Sequence, residues 1–168
     1  MPVVLGKAPG KIILFGEHAV VYGQPAIAIP VTKLQATAKI TPDLEGTPGR
    51  VHIKAEQIGL NVDLPDLEDD HPLVRAVRIT IEKVAPLQVP AFVLQIDSEV
   101  PLSAGMGSSA AVSVAIIRAV SAFLGGRLSP EAISEMAFEV EEIHHGTPSG
   151  IDNNVIAHQK PVYFIKGE

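Results

Sequence analysis

The chain has 168 residues, with 13 Lys and Arg against 19 Asp and Glu and a formal net charge of -6 at pH 7, so broad electrostatic capture of nucleic acid is excluded as its working principle. With 46% hydrophobic and 19% charged residues, it holds the apolar material for a packed core and does not read as disordered. The absence of cysteine excludes a disulfide framework, a thiolate metal site and thiol catalysis, and fits a reducing, cytoplasmic setting.

The stretch from Met1 to Val21 is broken by Lys7, Lys11, Glu17 and His18, and the longest apolar run, around Ala110 to Ile117, falls far short of the ~20 residues a spanning helix needs. Neither a signal sequence nor a membrane span is expected. In chain order, Val3–Lys7, Lys11–Phe15, Ala26–Ile29 and Leu34–Ile40 read as short strands, with Pro9, Gly10, Gly23 and Pro30 as turn formers between them. Residues 41–50 read as a loop, Val51–Ala55 as a strand, and residues 61–72, with the acidic run Glu68, Asp69 and Asp70, as a solvated loop. From Pro72 the apolar period becomes helical, with Leu73, Val74, Val77, Ile81 and Val84 on one face.

Ala91–Asp97 returns to a strand, and a loop rich in glycine and serine over residues 101–110 opens into an apolar helix, Ser109–Leu124. Ser129 before Pro130 predicts the start of a second helix that runs to His145. Residues 146–150 read as a loop, residues 152–157 as a short helix and Pro161–Ile165 as a last strand. Strands leading into helices, with no repeat and no linker, predict one α+β layered domain over residues 1–168.

Three segments carry side chains suited to chemistry. In the 101–110 loop, Gly105 and Gly107 free the backbone and leave room for a ligand, and the following helix offers unpaired N–H groups and the positive end of its dipole, which together suit phosphate. Ser108 and Ser109 add hydroxyls for phosphate or Mg2+. A P-loop is excluded, because neither Gly6-Lys7 nor Gly10-Lys11 completes that motif. Gly105, Gly107 and Ala110 match the dinucleotide pattern formally, but residues 101–104 separate them from the strand and no acid follows at the required distance. The surroundings of Ser108 are also not a hydrolase nucleophile elbow.

In the second segment Lys11 opens an apolar strand, and Glu17 and His18 follow a glycine turn. In the third, Ile133, Met136, Ala137, Val140 and Ile143 form the apolar stripe of a helix, and Glu141 lies roughly 80° from its centre, at the border, where a carboxylate is half-buried. Asp152 follows a Thr-Pro-Ser-Gly turn, which either aims it inward or uses it as a helix cap. Glu141 and His144 also fit half of a di-iron motif, but no second copy is present. A phosphate loop with hydroxyls, a lysine, a border glutamate and a turn-held aspartate are together the parts that phosphoryl transfer needs.

These segments resemble the GHMP small-molecule kinases. Residues 9–18, Pro-Gly-Lys-Ile-Ile-Leu-Phe-Gly-Glu-His, are similar to the first motif of that family, and residues 101–111, Pro-Leu-Ser-Ala-Gly-Met-Gly-Ser-Ser-Ala-Ala, to the second, with Met106 where Leu is commoner. Residues 16–23 and 144–153 resemble the branch of the family that phosphorylates mevalonate. The resemblance implies a layered N-terminal domain similar to a ribosomal-protein domain 2-like fold, and a C-terminal domain that this chain does not include. It implies ATP and Mg2+ as cofactors and mevalonate as substrate, without a nucleic-acid or membrane partner, and it leaves a homodimer open.

Carried over by position, the resemblance gives ATP binding to Gly105, Met106, Gly107, Ser108, Ser109 and Ala110, and Mg2+ to Ser109 and Glu141. It gives catalysis to Asp152 and Lys11, and substrate binding to Glu17, His18, Ser149 and Gly150. Transfer to another small alcohol, such as phosphomevalonate or homoserine, stays open, as does a non-catalytic domain that binds nucleotide or a partner.

Overall fold

The alternating pattern of the first third runs through its expected turns. The computed structural model describes residues 2–145 and 148–166, and in it β1 (Val4–Phe15) and β2 (Ala26–Pro42) are each one long strand, paired antiparallel. This corrects the expectation of four short strands. Pro9 faces Gln35 while Gly10 faces Val31, so residues 32–34 of β2 loop out of register and the expected break becomes a bulge inside a continuing ladder. Gln35 Nε2 donates to the Thr32 carbonyl at 3.0 Å across the looped-out residues. Pro30 lies opposite Lys11, whose N–H leaves the β1–β2 pair and donates to the Met106 carbonyl at 2.9 Å. A proline is thus set where the ladder is already interrupted.

The other strands are β3 (Val51–Ala55), β4 (Leu60–Asp63), β5 (Phe92–Ser98) and β6 (Val162–Phe164), and the sheet runs β1-β2-β5-β3-β4 with β6 paired to β2. β5 is antiparallel to β2 and parallel to β3, and the crossover between the parallel pair carries α1 (Pro72–Val84). β4 corrects the loop expected from residue 61. It is a short edge strand on β3, held by its Asp63 carboxylate, which accepts from Arg50 Nε at 3.2 Å and pairs with His52 Nδ1 at 2.6 Å.

One face of the sheet is buried. Ala36, Ala38 and Ile40 of β2, Phe92, Leu94 and Ile96 of β5, and Val51 and Ile53 of β3 point into the core, while Lys39, Lys54 and Asp97 stay exposed. Over this face lies α2 (Ser108–Phe123), whose Val114, Ile116, Ile117 and Val120 are fully buried, each contributing ~1.5–3 kcal/mol. β1 and α2 meet backbone to backbone at Gly6, where an added Cβ would sit 2.1 Å from the Ala115 carbonyl oxygen.

α3 (Pro130–His145) packs on α1, α2 and α4 (Ile151–His158). Its Ile133, Met136, Ala137 and Val140 are buried as the stripe predicts. Ile143 is not: it is 44% exposed and lines a surface recess beside residues 66–72. A second, smaller core of Val20, Ala26, Ala28, Ile151 and Val155, flanked by Ile13, Val162 and Phe164, seats α4 on β1, β2 and β6. Among the described residues no helix is long and apolar enough to cross a membrane.

Candidate active site

Lys11 is carried by β1 at its bulge and is only 4% exposed. Its Nζ lies 2.9 Å from Asp152 Oδ1 in the first turn of α4. The helix N-cap is Gly150, in the left-handed region at φ 87°, so Asp152 is not a cap but a first-turn carboxylate favoured by the helix dipole. Ser149 Oγ accepts from the Ile151 N–H at 3.4 Å and helps form the turn that aims Asp152. The lysine end of the pair is buried, while the aspartate side chain is 28% exposed and lines the cleft, where a ligand can reach it.

The loop between β5 and α2 is folded over this pair. Ser103, Gly105 and Gly107 all have left-handed backbones, with φ of 57°, 67° and 70°. At Gly107 an added Cβ would meet Ile156 Cδ1 at 2.9 Å, Lys11 Cγ at 3.1 Å and Asp152 Oδ2 at 3.4 Å, so the loop touches both members of the pair. Gly107 is also the N-cap of α2. No side chain caps that N-terminus and its first turn holds no acid, which leaves its N–H groups and dipole available to an anion.

Ser109 lines the resulting cleft of about 500 Å3 together with residues 101–108, Glu141, Pro148, Ser149 and Asp152. Ser108 is 8% exposed, and its hydroxyl donates to the Val100 carbonyl at 3.2 Å, so it pins the loop. The Ala110 side chain is fully in the core, and only its backbone is available to a ligand.

Glu141 is deeper than a border position predicts, at 5% exposed. Burial, reinforced by the Asp152 carboxylate and opposed by Lys11, pushes its pKa up to about 7. A carboxylate so raised, beside a second carboxylate and a serine hydroxyl on the cleft wall, fits a hard divalent cation with oxygen ligands. Among the described residues no three His, Asp or Glu side chains gather to hold a metal by themselves.

Glu17 comes to the loop as well: its Oε1 would lie 3.7 Å from a Cβ on Gly105. His18 is exposed in the same turn and, among the described residues, makes no hydrogen bond or ion pair. The side chains of His144 and His145 and residues 146–147, part of the expected loop, lie outside the described residues.

A feature the sequence does not announce is a second recess of about 310 Å3 that shares Pro101, Leu102 and Ser108 with the cleft. Ile58, Leu73, Ile96 and Val112 line it, and Gln57 closes one side through paired bonds with the Ser98 backbone, each 2.9 Å. Its lining comes from separate segments of the chain, so no local motif marks it.

Known proteins resemble this chain along nearly its whole length. The chain is 37% identical to the mevalonate kinase of Thermococcus sibiricus, with 98% of this chain and 52% of that protein covered. The crystal structure of Methanococcus jannaschii mevalonate kinase superimposes with a TM-score of 0.88 at 25% identity, over 99% of this chain and 55% of that one. L. major mevalonate kinase in complex with R-mevalonate gives 0.67 at 26% identity, over 98% and 52%. The chain thus spans about half the length of the curated relatives it matches. The family model for the N-terminal domain of GHMP kinases matches residues 71–159, more than half of the sequence and the part that holds the glycine loop, Glu141 and Asp152, and on that match the chain belongs to the GHMP kinase family.

Proposed function

We propose that this chain supplies the N-terminal half of an ATP-dependent kinase that phosphorylates the C5 hydroxyl of mevalonate, the rest of the cleft coming from a C-terminal domain. The observation that carries the reading is the Lys11–Asp152 pair at 2.9 Å, with Gly107 of the loop packed against both side chains. In this reading the loop from Gly105 and the first turn of α2 bind the ATP phosphates through backbone N–H groups, and the apolar recess beside Leu102 takes the flat base. Ser109 and Glu141 would hold Mg2+, which would neutralise phosphate charge there.

Asp152 orients the attacking hydroxyl and accepts its proton, as phosphoryl transfer requires of a positioned acid–base group. Lys11, held by that carboxylate, stabilises negative charge on the alkoxide and on the transferring group. Glu17 and His18 orient mevalonate from the turn after β1, with Ser149 on the cleft wall and Gly150 setting the turn that leads to Asp152. The complex of L. major mevalonate kinase with R-mevalonate supports this choice of substrate.

The test is ADP release from MgATP, with mevalonate, phosphomevalonate, homoserine and galactose offered separately, by the chain alone and joined to the C-terminal half of a mevalonate kinase. Turnover with mevalonate alone is expected in the joined protein. A different preferred alcohol would reassign the substrate. Nucleotide binding without turnover on any of the four, in folded protein, would favour a binding domain.

A further inference from the structure

Arg118 lies on α2, and its guanidinium reaches β1 and α4. Nη1 donates to the Lys7 carbonyl of β1 at 2.6 Å, and Nη2 to the Ala157 carbonyl in the last turn of α4 at 2.8 Å. The Gln159 amide, with its oxygen turned to the guanidinium, accepts from both Nη atoms, and Gln159 is the left-handed residue that ends α4, at φ 54°. The three elements joined here, β1, α2 and α4, are those that carry Lys11, Ser109 and Asp152. We propose that Arg118 is a positioning residue, clamping the C-terminal end of α4 to β1 and α2 so that Asp152 meets Lys11 in the geometry phosphoryl transfer needs. This assignment rests on the kinase reading of the site.

The physical case begins with α4 itself. It has 8 residues, about 12 Å of helix, too few to hold together or keep an orientation without tertiary support. Its N-terminal turn is tied by the Lys11–Asp152 pair, and its C-terminal turn by Arg118 and the carbonyls of Ala157 and Gln159. The charges also fit the helix dipole at both ends, a carboxylate at the start and a cation at the finish.

Burial pulls the Arg118 guanidinium below its ordinary value, so its place carries a desolvation cost. Among the described residues no carboxylate pairs with it; its hydrogen-bond acceptors are uncharged carbonyls on two backbone segments and one side-chain amide. A planar fork with fixed donor directions suits that task, and a lysine ammonium does not reproduce it. Ala157 is about 7.5 Å along the axis from Asp152, so a tilt of about 8° around that end moves the carboxylate by about 1 Å, a displacement that can cost on the order of 100-fold in rate.

The test compares Arg118→Met and Arg118→Lys with Val77→Ala, a buried change on α1 remote from the clamp, in the joined, full-length protein at a temperature where each is folded. Arg118→Met is expected to lower kcat with mevalonate by roughly 10- to 100-fold, with KM for ATP within about twofold. Arg118→Lys recovers part of the loss, and Val77→Ala leaves kcat within about twofold. The ammonium proton signal of Lys11, slow to exchange while the pair is closed, is expected in the wild type and in Val77→Ala and lost in Arg118→Met.

Unchanged kcat in an active Arg118→Met protein, or a Lys11 signal that survives the change, overturns the assignment. A wild type that turns over none of the alcohols refutes the kinase reading instead, and the Lys11 signal alone then decides the clamp. If Arg118→Met does not fold, Arg118→Lys carries the same comparison, with roughly a 3- to 10-fold loss of kcat expected.

Discussion

Glu141→Gln should remove a pH dependence of stability that is built into the cleft. In the folded chain Glu141 is 5% exposed and faces Asp152 and Lys11, and its pKa rises from 4.5 to about 7. Between those values the folded state keeps a proton that the unfolded state has released, so stability falls as pH rises through the window and levels off above it. The displacement corresponds to about 3 kcal/mol. At pH 5 the variant and the wild type are therefore expected to be similar in stability, and at pH 8 the variant is more stable by about 2–3 kcal/mol.

The sequence contains no tryptophan, so urea unfolding is best followed by circular dichroism of the helices, with free energies extrapolated at both pH values. Mg2+ that binds the folded carboxylate should stabilise the wild type at pH 8 and leave the variant unmoved. A stability difference between variant and wild type that is the same at pH 5 and pH 8 would refute the reasoning, because it would mean that Glu141 does not titrate differently in the two states.

Asp152→Asn is expected to reduce kcat by roughly 100- to 10,000-fold, the range for losing a general base, with MgATP affinity changed only a few-fold; equal losses in turnover and nucleotide binding would sink the role given to the carboxylate. Gly107→Ala combines a φ of 70° with a Cβ 2.9 Å from Ile156 Cδ1 and should destabilise by about 1–2 kcal/mol, with weaker nucleotide binding by calorimetry. A melting temperature equal to that of the wild type would show that the loop is not held in the described conformation.

Much of the helical half of the fold can be read from residue types. Ser129 accepts from the Ala132 N–H at 3.3 Å at the start of α3, as a cap before Pro130 predicts, and α2 begins within one residue of its expected position. The strands are less legible, because prolines and glycines signal a change of backbone direction without saying whether pairing resumes. At Pro9 and Pro30 it does resume, and only the register of β1 on β2, a long-range property, shows this. β4 is missed because four partly polar residues carry almost no period, and its pairing to β3 supplies what its composition lacks.

In the site, Lys11, Ser109, Glu141 and Asp152 are visible through motif and helix period, but the depth of Glu141 depends on what covers it, which no wheel contains. Arg118 escapes notice because one cation in an apolar helix looks like a snorkelling surface residue, and its partners at Lys7 and Ala157 lie 111 and 39 positions away.

The bond from the Lys11 N–H to the Met106 carbonyl makes a single backbone amide a reporter of the glycine loop. Most amides in a long strand exchange with solvent at a pace set by the opening of the sheet. This one depends on whether the loop stays down, since its acceptor is the Met106 carbonyl of the loop and not a carbonyl of β2. Deuterium uptake at Lys11 should therefore slow when nucleotide binds while its neighbours in β1 barely change, giving a readout of loop closure that needs neither the second substrate nor turnover.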